Sequence, residues 1–364
     1  MTQETRTKHP FHMYEAMQRQ PETFARVVAR GGAAAGRFAA AAGDCDRLFV
    51  VGIGTSHHAA LVGEHLVRAY GGDLPVSAHH SFDFALYGPR LTVKDAVIGI
   101  SHRGNKDYTA RSLARAREAG CRTALVTGEG NVDQRPATDV VFETVPQEQS
   151  STHTVSYVGS IGTLALIAAH LGRHRTGARP LPDPELSERI PGVLGVALVT
   201  EAQMAEWARA HAGRRRIWVV GGGPGAITAT EIALKIKEAA YLQAEGLAIE
   251  AMLHGPFQCT EPEDLFVLIA PAGAAQPRLL EFAGMVTDIG AAYVVVSDGT
   301  PTALQAGAAG WCVVPAVPEP FTALTCLVPL QLFSYALALV RGTNPDVFRL
   351  DDPRFAHARA RVRL

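Results

Sequence analysis

Cysteine is scarce in this chain. The five residues, Cys45, Cys121, Cys259, Cys312 and Cys326, are scattered over 364 positions, odd in number and never in C-x-x-C spacing. That pattern excludes a disulfide framework and a structural zinc site, and it points to a reducing compartment. Excess charge of either sign is also lacking. The 34 basic and 35 acidic residues leave a formal net charge of −1, with no basic footprint for nucleic acid. The polar start, Met1 to Pro10, does not read as a signal peptide. Thr322 to Val340 is nearly charge-free and long enough to tempt a membrane-spanning assignment. Pro329, Gln331 and Ser334 interrupt it and no second span is seen, so it reads as a core helix. The expectation is a soluble, cytoplasmic protein off the membrane, large enough for two domains.

What the chain does have is a repeat. Arg47-Leu-Phe-Val-Val-Gly52-Ile-Gly54-Thr55-Ser56 is a basic residue, an apolar strand and a Gly-rich turn, then a helix from about His57. Arg216-Ile-Trp-Val-Val-Gly221-Gly-Gly223-Pro-Gly225-Ala226 repeats the plan about 170 residues later. Strands are predicted over 96–100, 123–127, 265–270 and 292–297, with helices over 108–119 and 277–289 between them. This rhythm specifies parallel sheets with crossover helices. The fold class is therefore α/β, with two doubly wound, flavodoxin-like parallel-sheet domains in tandem over 35–178 and 196–342. A helical segment over 1–34, with its helix at about 12–30, precedes them. A proline-rich joint over 179–195 separates them, and a turn-rich tail over 343–364 follows, able to cross an active site.

In open parallel sheets ligands sit beyond the carboxyl ends of the strands, at helix N-termini. Thr55, Ser56 and the run Ser101-His102-Arg103-Gly104-Asn105-Lys106 occupy such turns, and Ser150-Ser151-Thr152-His153 opens another helix. Hydroxyls, a guanidinium and an ammonium together suit a phosphate or carboxylate, although an exposed polar loop would look similar. A dinucleotide site is disfavoured. Gly221-x-Gly223-x-x-Ala226 fits the relaxed fingerprint, but neither repeat has a clear second strand ending in Asp or Glu. Glu231, Lys235, Glu238 and Glu245 are spaced to share one helix face, and His254-Gly255-Pro256 follows closely. The group could supply a proton-transfer site or be a solvated face with ordinary ion pairs. His57-His58 and His79-His80 assemble no three-ligand metal site, and Arg214 to Arg216 read as a solvated domain edge.

Taken together and in this order, Gly52-x-Gly54-Thr55-Ser56-x-His58-Ala-Ala60, Ser101-x-x-Gly104, Ser151-Thr152, Lys235-x-x-Glu238 and His254-Gly255-Pro256 are familiar. The chain resembles the double SIS-domain (sugar isomerase) family over about residues 10 to 364, especially the isomerase domain of glutamine–fructose-6-phosphate aminotransferases. The resemblance implies that Thr55, Ser56, Ser101, His102, Arg103, Asn105 and Lys106 line a sugar-phosphate pocket, closed by Ser151 and Thr152. It implies that Glu238 is the base moving a proton between C1 and C2 and that Lys235 is held beside it. It also implies that His254, from the neighbouring subunit of a homodimer, helps open the sugar ring. Neither metal nor organic cofactor is implied.

Departures from the family pattern matter. Its Ser-x-Ser-Gly-x-Thr turn is here 101–106, with Arg103 and Lys106 in place of two hydroxyls, so the anion can be placed differently. Where the aminotransferases carry an imine-forming lysine, the aligned residue is Arg359. Arginine stays protonated and forms no imine; Arg359 reads equally as a substrate contact or part of a basic tail. No cysteine precedes Cys45, so the glutaminase step of the aminotransferases is not expected. The expected activity is isomerisation of a ketosugar phosphate or deamination of an aminosugar phosphate. Alternatives are removal of an amino acid from a fructosyl-amino-acid phosphate, and sugar-phosphate sensing without catalysis.

Overall fold

Each Gly-rich repeat begins on an almost wholly buried strand, and the inner strands of each sheet are Val-, Ile- and Leu-rich because a parallel sheet covered on both faces offers them no solvent. The computed structural model describes residues 6–130, 132–299 and 302–362. The first residues of the polar start, and Arg363 and Leu364 of the basic tail, lie outside them. Among the described residues, β1 (Arg47–Gly52), β2 (Val76–His80), β3 (Asp95–Ile100), β4 (Arg122–Thr127) and β5 (Val140–Glu143) form one parallel sheet in the order β2-β1-β3-β4-β5. β6 (Ile217–Gly221), β7 (Ala244–Ala248), β8 (Leu265–Ile269), β9 (Ala292–Ser297) and β10 (Gly310–Val313) form the second, in the order β7-β6-β8-β9-β10. The two orders are identical. The fold is a tandem pair of doubly wound α/β domains.

The chain forms two compact units. One comprises Arg19–Glu148 and His153–Pro191. The other comprises the residues before Arg19, Gln149–Thr152 and Gly192–Arg361. Within each, the basic residue ahead of the first strand has the same task. Arg47 donates to Asp95 at 2.8 Å, and Arg216 to Asp264 at 3.1 Å. Both aspartates are buried, and each arginine also lies over a ring of its own strand, Phe49 at 5.1 Å and Trp218 at 5.4 Å. A buried carboxylate needs such a partner, so the repeated Arg is a fastener between first and third strands.

Several expectations need correction. The two inner helices begin one residue earlier than predicted, at Asp107 and Gln276, and the first repeat's helix begins at Thr55. The helix expected over 12–30 is two helices, His12–Gln18 and Gln20–Ala42. The segment over 179–195 holds a π-helical turn, Glu185–Arg189, and the start of the helix Ile190–Leu198. Second strands do exist in both repeats, as β2 and β7. They are short edge strands without alternating or continuous apolar character. β2 ends at His80 and β7 at Ala248, so neither ends in an acid. Finally, a second helix, Val155–Thr176, passes the same membrane-length test as Glu319–Arg341. In both, 89% of the apolar window is buried within the protein, as core helices are.

The Gly-x-Gly turns are superimposable in conformation. Gly54 has φ 57° and ψ −129°, and Gly223 has φ 53° and ψ −128°, values that side chains resist. A Cβ on Gly52 would lie 2.3 Å from the Ser56 carbonyl oxygen, and one on Gly221 2.4 Å from the Gly225 carbonyl. Both obstacles are backbone, so neither can swing aside. Gly52→Ala and Gly221→Ala should each lower unfolding free energy by about 2–3 kcal/mol, measured by denaturant titration. A loss below about 0.5 kcal/mol in either would contradict this packing.

Candidate active site

The helix Pro224–Ala240 carries Glu231, Lys235 and Glu238 one turn apart on one face, as their spacing requires. That face is buried. The Lys235 ammonium, with its side chain 1% exposed, lies 3.4 Å from Glu231 Oε1 and 2.5 Å from Glu238 Oε2. Glu231 is sealed in the interior, whereas Glu238 keeps 18% of its side chain exposed. The triad is therefore built-in and directional: the inner carboxylate and the ammonium offset each other's burial, and the outer carboxylate reaches the surface of a cavity. The reading of a solvated helix face is thereby excluded. Glu245 does not belong to it. The helix stops at Ala240, Tyr241 takes a left-handed conformation at its end (φ 53°), and Glu245 sits on β7 opposite Trp218.

Glu238 and Lys237 open onto a cavity of about 430 Å³ whose other walls include Tyr241, Leu242, Phe348, Arg349 and Phe355. The last three come from the C-terminal tail, which is tied to the helix end. The Tyr241 hydroxyl donates to the Asn344 carbonyl at 3.2 Å and accepts the Arg349 N–H at 2.8 Å. Ser151 and Thr152 secure the same tail. Thr152 Oγ1 donates to the Pro345 carbonyl at 2.6 Å, and the Ser151 N–H donates to the Asp346 carbonyl at 2.9 Å. Asp346 in turn accepts the N–H groups of His12 and Met13, both at 2.9 Å, satisfying donors at the start of a helix that have no internal partner.

His254 and Arg359 do not line this cavity. His254 closes the short helix Ile249–Leu253, with its side chain 78% exposed and Nε2 3.3 Å from Glu250 Oε2. Arg359 is half-buried at the end of the helix Pro353–Arg359.

In the other unit, Thr55 and Ser56 begin the helix Thr55–Tyr70 and are half-buried. Ser101 follows β3 and is buried, and its hydroxyl has no hydrogen-bond partner among the described residues. The His102 ring is pinned: Nε2 accepts the Glu148 N–H at 2.9 Å, which puts the proton of the neutral ring on Nδ1, also buried and without a hydrogen-bond partner among the described residues. Burial, and Arg103 nearby, hold the His102 pKa down against the opposing pull of Glu148. The His102 carbonyl accepts from the Gly128 N–H at 2.9 Å and Gln147 Nε2 at 3.1 Å, which fixes the loop. Arg103 and Asn105 are exposed, and Lys106 is half-buried at the start of the helix Asp107–Glu118. Buried polar atoms on two consecutive residues of a fixed loop, without hydrogen-bond partners among the described residues, are what a polar ligand would satisfy.

Sequence reasoning missed Glu148. This buried carboxylate accepts the Thr154 and Ser156 N–H groups and so caps the helix Val155–Thr176. Burial works to raise its pKa, but His153, His102 and these donors outweigh it and hold the pKa below the usual carboxylate value. A carboxylate just ahead of a small-residue helix was the available signal.

Models of the SIS domain match residues 43–169 and 212–341. The chain belongs to the SIS domain family. It is 30% identical over 303 residues to glutamine–fructose-6-phosphate aminotransferase [isomerizing] of Pyrococcus horikoshii, covering 83% of this chain and 50% of that protein. The chain thus spans about half the length of the curated relatives it matches. In fold it is similar to the C-terminal domain of glucosamine-fructose-6-phosphate aminotransferase from Francisella tularensis, with a TM-score of 0.81, 17% identity and coverage of 93% and 98%. It is similar also to tagatose-6-phosphate ketose/aldose isomerase from Escherichia coli, with a TM-score of 0.78, 19% identity and coverage of 93% and 95%.

The histidines of the SIS domain over 43–169 carry a pH signature. His57 lies 5.5 Å from the His80 ring, and burial, with His58, His80 and His79 adding repulsion, pushes its pKa down to about 4. The unfolded chain therefore takes up a proton near pH 6.5 that the folded state refuses until about pH 4. Stability should be unaffected by this group above pH 6.5, fall as pH drops through that window, and level off below it. His79 and His102, also lowered, act in the same direction. Thermal melts at pH 7.5 and 5.0 should show a smaller difference for His57→Gln than for the parent. An equal difference would show that His57 does not titrate this way.

Proposed function

We propose that the protein acts on an anionic, phosphorylated ketose or aminosugar, with Glu238 as the base that moves a proton between C1 and C2. The observation that carries this reading is the Lys235–Glu238 pair at 2.5 Å, with Glu238 at the wall of an open cavity in a SIS-family chain. One carboxylate can take the proton from a carbon next to the carbonyl and return it to the neighbouring carbon. The intermediate is an enediol, or an enediolamine if nitrogen replaces one oxygen. The Lys235 ammonium engages Glu238 Oε2, which fixes the carboxylate's orientation.

The loop over 101–106, with the vacant Ser101 hydroxyl and His102 Nδ1–H, is our candidate for holding the anion, with Thr55, Ser56, Asn105 and Lys106 beside it. Arg103 would contact ligand only by folding inward from its exposed position. His254, in this reading, assists ring opening from the second copy of a cytoplasmic homodimer; its exposed side chain is free of the cavity its own Glu238 occupies. Ser151 and Thr152 act through the tail they fasten. Arg359 supplies charge and no imine.

The test is proton exchange. In D₂O, wild-type protein should wash solvent deuterium into C1 or C2 of a hexose or hexosamine 6-phosphate. Glu238→Gln should lose on the order of a thousandfold of that rate while keeping the thermal stabilisation the same ligand gives. Exchange undiminished in Glu238→Gln would refute the assignment.

A further inference from the structure

Arg349 is held in an unusual way. It and Phe348 are consecutive residues with left-handed backbones, φ 59° and φ 48°, a conformation that costs each of them stability and persists only where the surroundings impose it. The imposing contacts are visible: the Tyr241 hydroxyl fixes the Arg349 N–H, and the guanidinium lies 4.1 Å from the centre of the Phe355 ring and 5.5 Å from that of Tyr241. Stacking orients a guanidinium while leaving its N–H groups in plane and available. Among the described residues, the Arg349 guanidinium makes no direct hydrogen bond or ion pair, and its charge reaches Asp352 only at longer range.

This oriented, half-buried cation faces the cavity that Glu238 shares. With Glu231 offsetting Lys235, the cavity sets one carboxylate, Glu238, against two cations, Lys237 and Arg349, a balance that favours an incoming anion. A second cavity of about 410 Å³ is also bounded by Tyr241 and Arg349, but Asp351 and Asp352 line it and disfavour an anion there. The other walls of the first cavity are the apolar Leu242, Phe348 and Phe355 together with Tyr241 and the polar Gln243. A cation fork between aromatic rings, in the same cavity as the proposed proton-transfer carboxylate, fits a short group ending in a carboxylate.

We propose that Arg349 is a specificity-determining residue that binds a carboxylate carried on the amine substituent at the reacting end of the sugar. This rests on the function proposed above and narrows its substrate class to sugars bearing an amino-acid-like amine. A planar carboxylate can pair with the guanidinium through two parallel N–H···O bonds, which an uncharged amine substituent cannot do.

The test compares two probes by calorimetry: the 6-phosphate of fructose bearing glycine on C1, and its methylamine counterpart, which lacks the carboxylate. Wild-type protein should bind the glycine probe at least about tenfold more tightly. Arg349→Met, which keeps an apolar stem against Tyr241 and Phe355, should erase that preference and leave the affinity for the methylamine probe within about twofold. Arg349→Lys should restore only part of it, because an ammonium lacks the fork. Equal affinity of wild type for the two probes overturns the proposal, even if proton exchange remains dependent on Glu238. So does a preference that survives in Arg349→Met. Failure of the proposed function would appear instead as exchange indifferent to Glu238→Gln, whatever the two affinities.

Discussion

The Lys235 ammonium, placed between Glu231 and Glu238, is the interaction on which the account of this protein depends. An ammonium shut away from water is costly unless carboxylates surround it, and here one is provided from each adjacent turn of the same helix. The asymmetry of exposure gives the arrangement its chemical meaning. Glu231 serves only to offset the charge, whereas Glu238 shares that charge and also meets a cavity. Replacing the group with apolar residues would serve stability as well. Keeping it is reasonable where a carboxylate must be held in one orientation.

The remainder of that unit is organised around the end of the same helix. Tyr241 turns the chain out of the helix in a left-handed conformation, and its hydroxyl binds two points of the C-terminal tail. Thr152 and Asp346 tie the tail further, to a segment from mid-chain and to the first helix. The tail is therefore a fixed wall, and the two strained residues in it lie where it borders the cavity. In the other unit the same economy applies. The His102 carbonyl and ring Nε2 are spent on holding the loop, while Nδ1–H and the Ser101 hydroxyl have no hydrogen-bond partner among the described residues.

Much of this was legible in the chain. Continuous Val-, Ile- and Leu-rich runs after a basic residue announced the central strands, and the Gly-x-Gly turns announced the helices after them. Lys235 and Glu238 were legible because three- and four-residue spacing is itself helical geometry. Glu245 was misread because the same arithmetic cannot see a helix end, and Tyr241 ends the helix with no glycine or proline to mark it. β2 and β7 escaped because edge strands such as Val-Ser-Ala-His-His have no pattern to detect. Arg349 was noticed only as part of a turn-rich tail; its stacking on Phe355 and Tyr241 joins residues whose proximity no local pattern encodes.

The central claim is tested most directly through Lys235. In Lys235→Met, Glu231 is left buried without its ammonium, and unfolding free energy should drop by about 3–5 kcal/mol, with proton exchange into the sugar phosphate lost. The double variant Glu231→Leu/Lys235→Met should recover most of the stability and none of the exchange. If the single variant keeps both stability and exchange, or the double variant recovers exchange, the triad neither anchors this helix nor prepares Glu238 for chemistry.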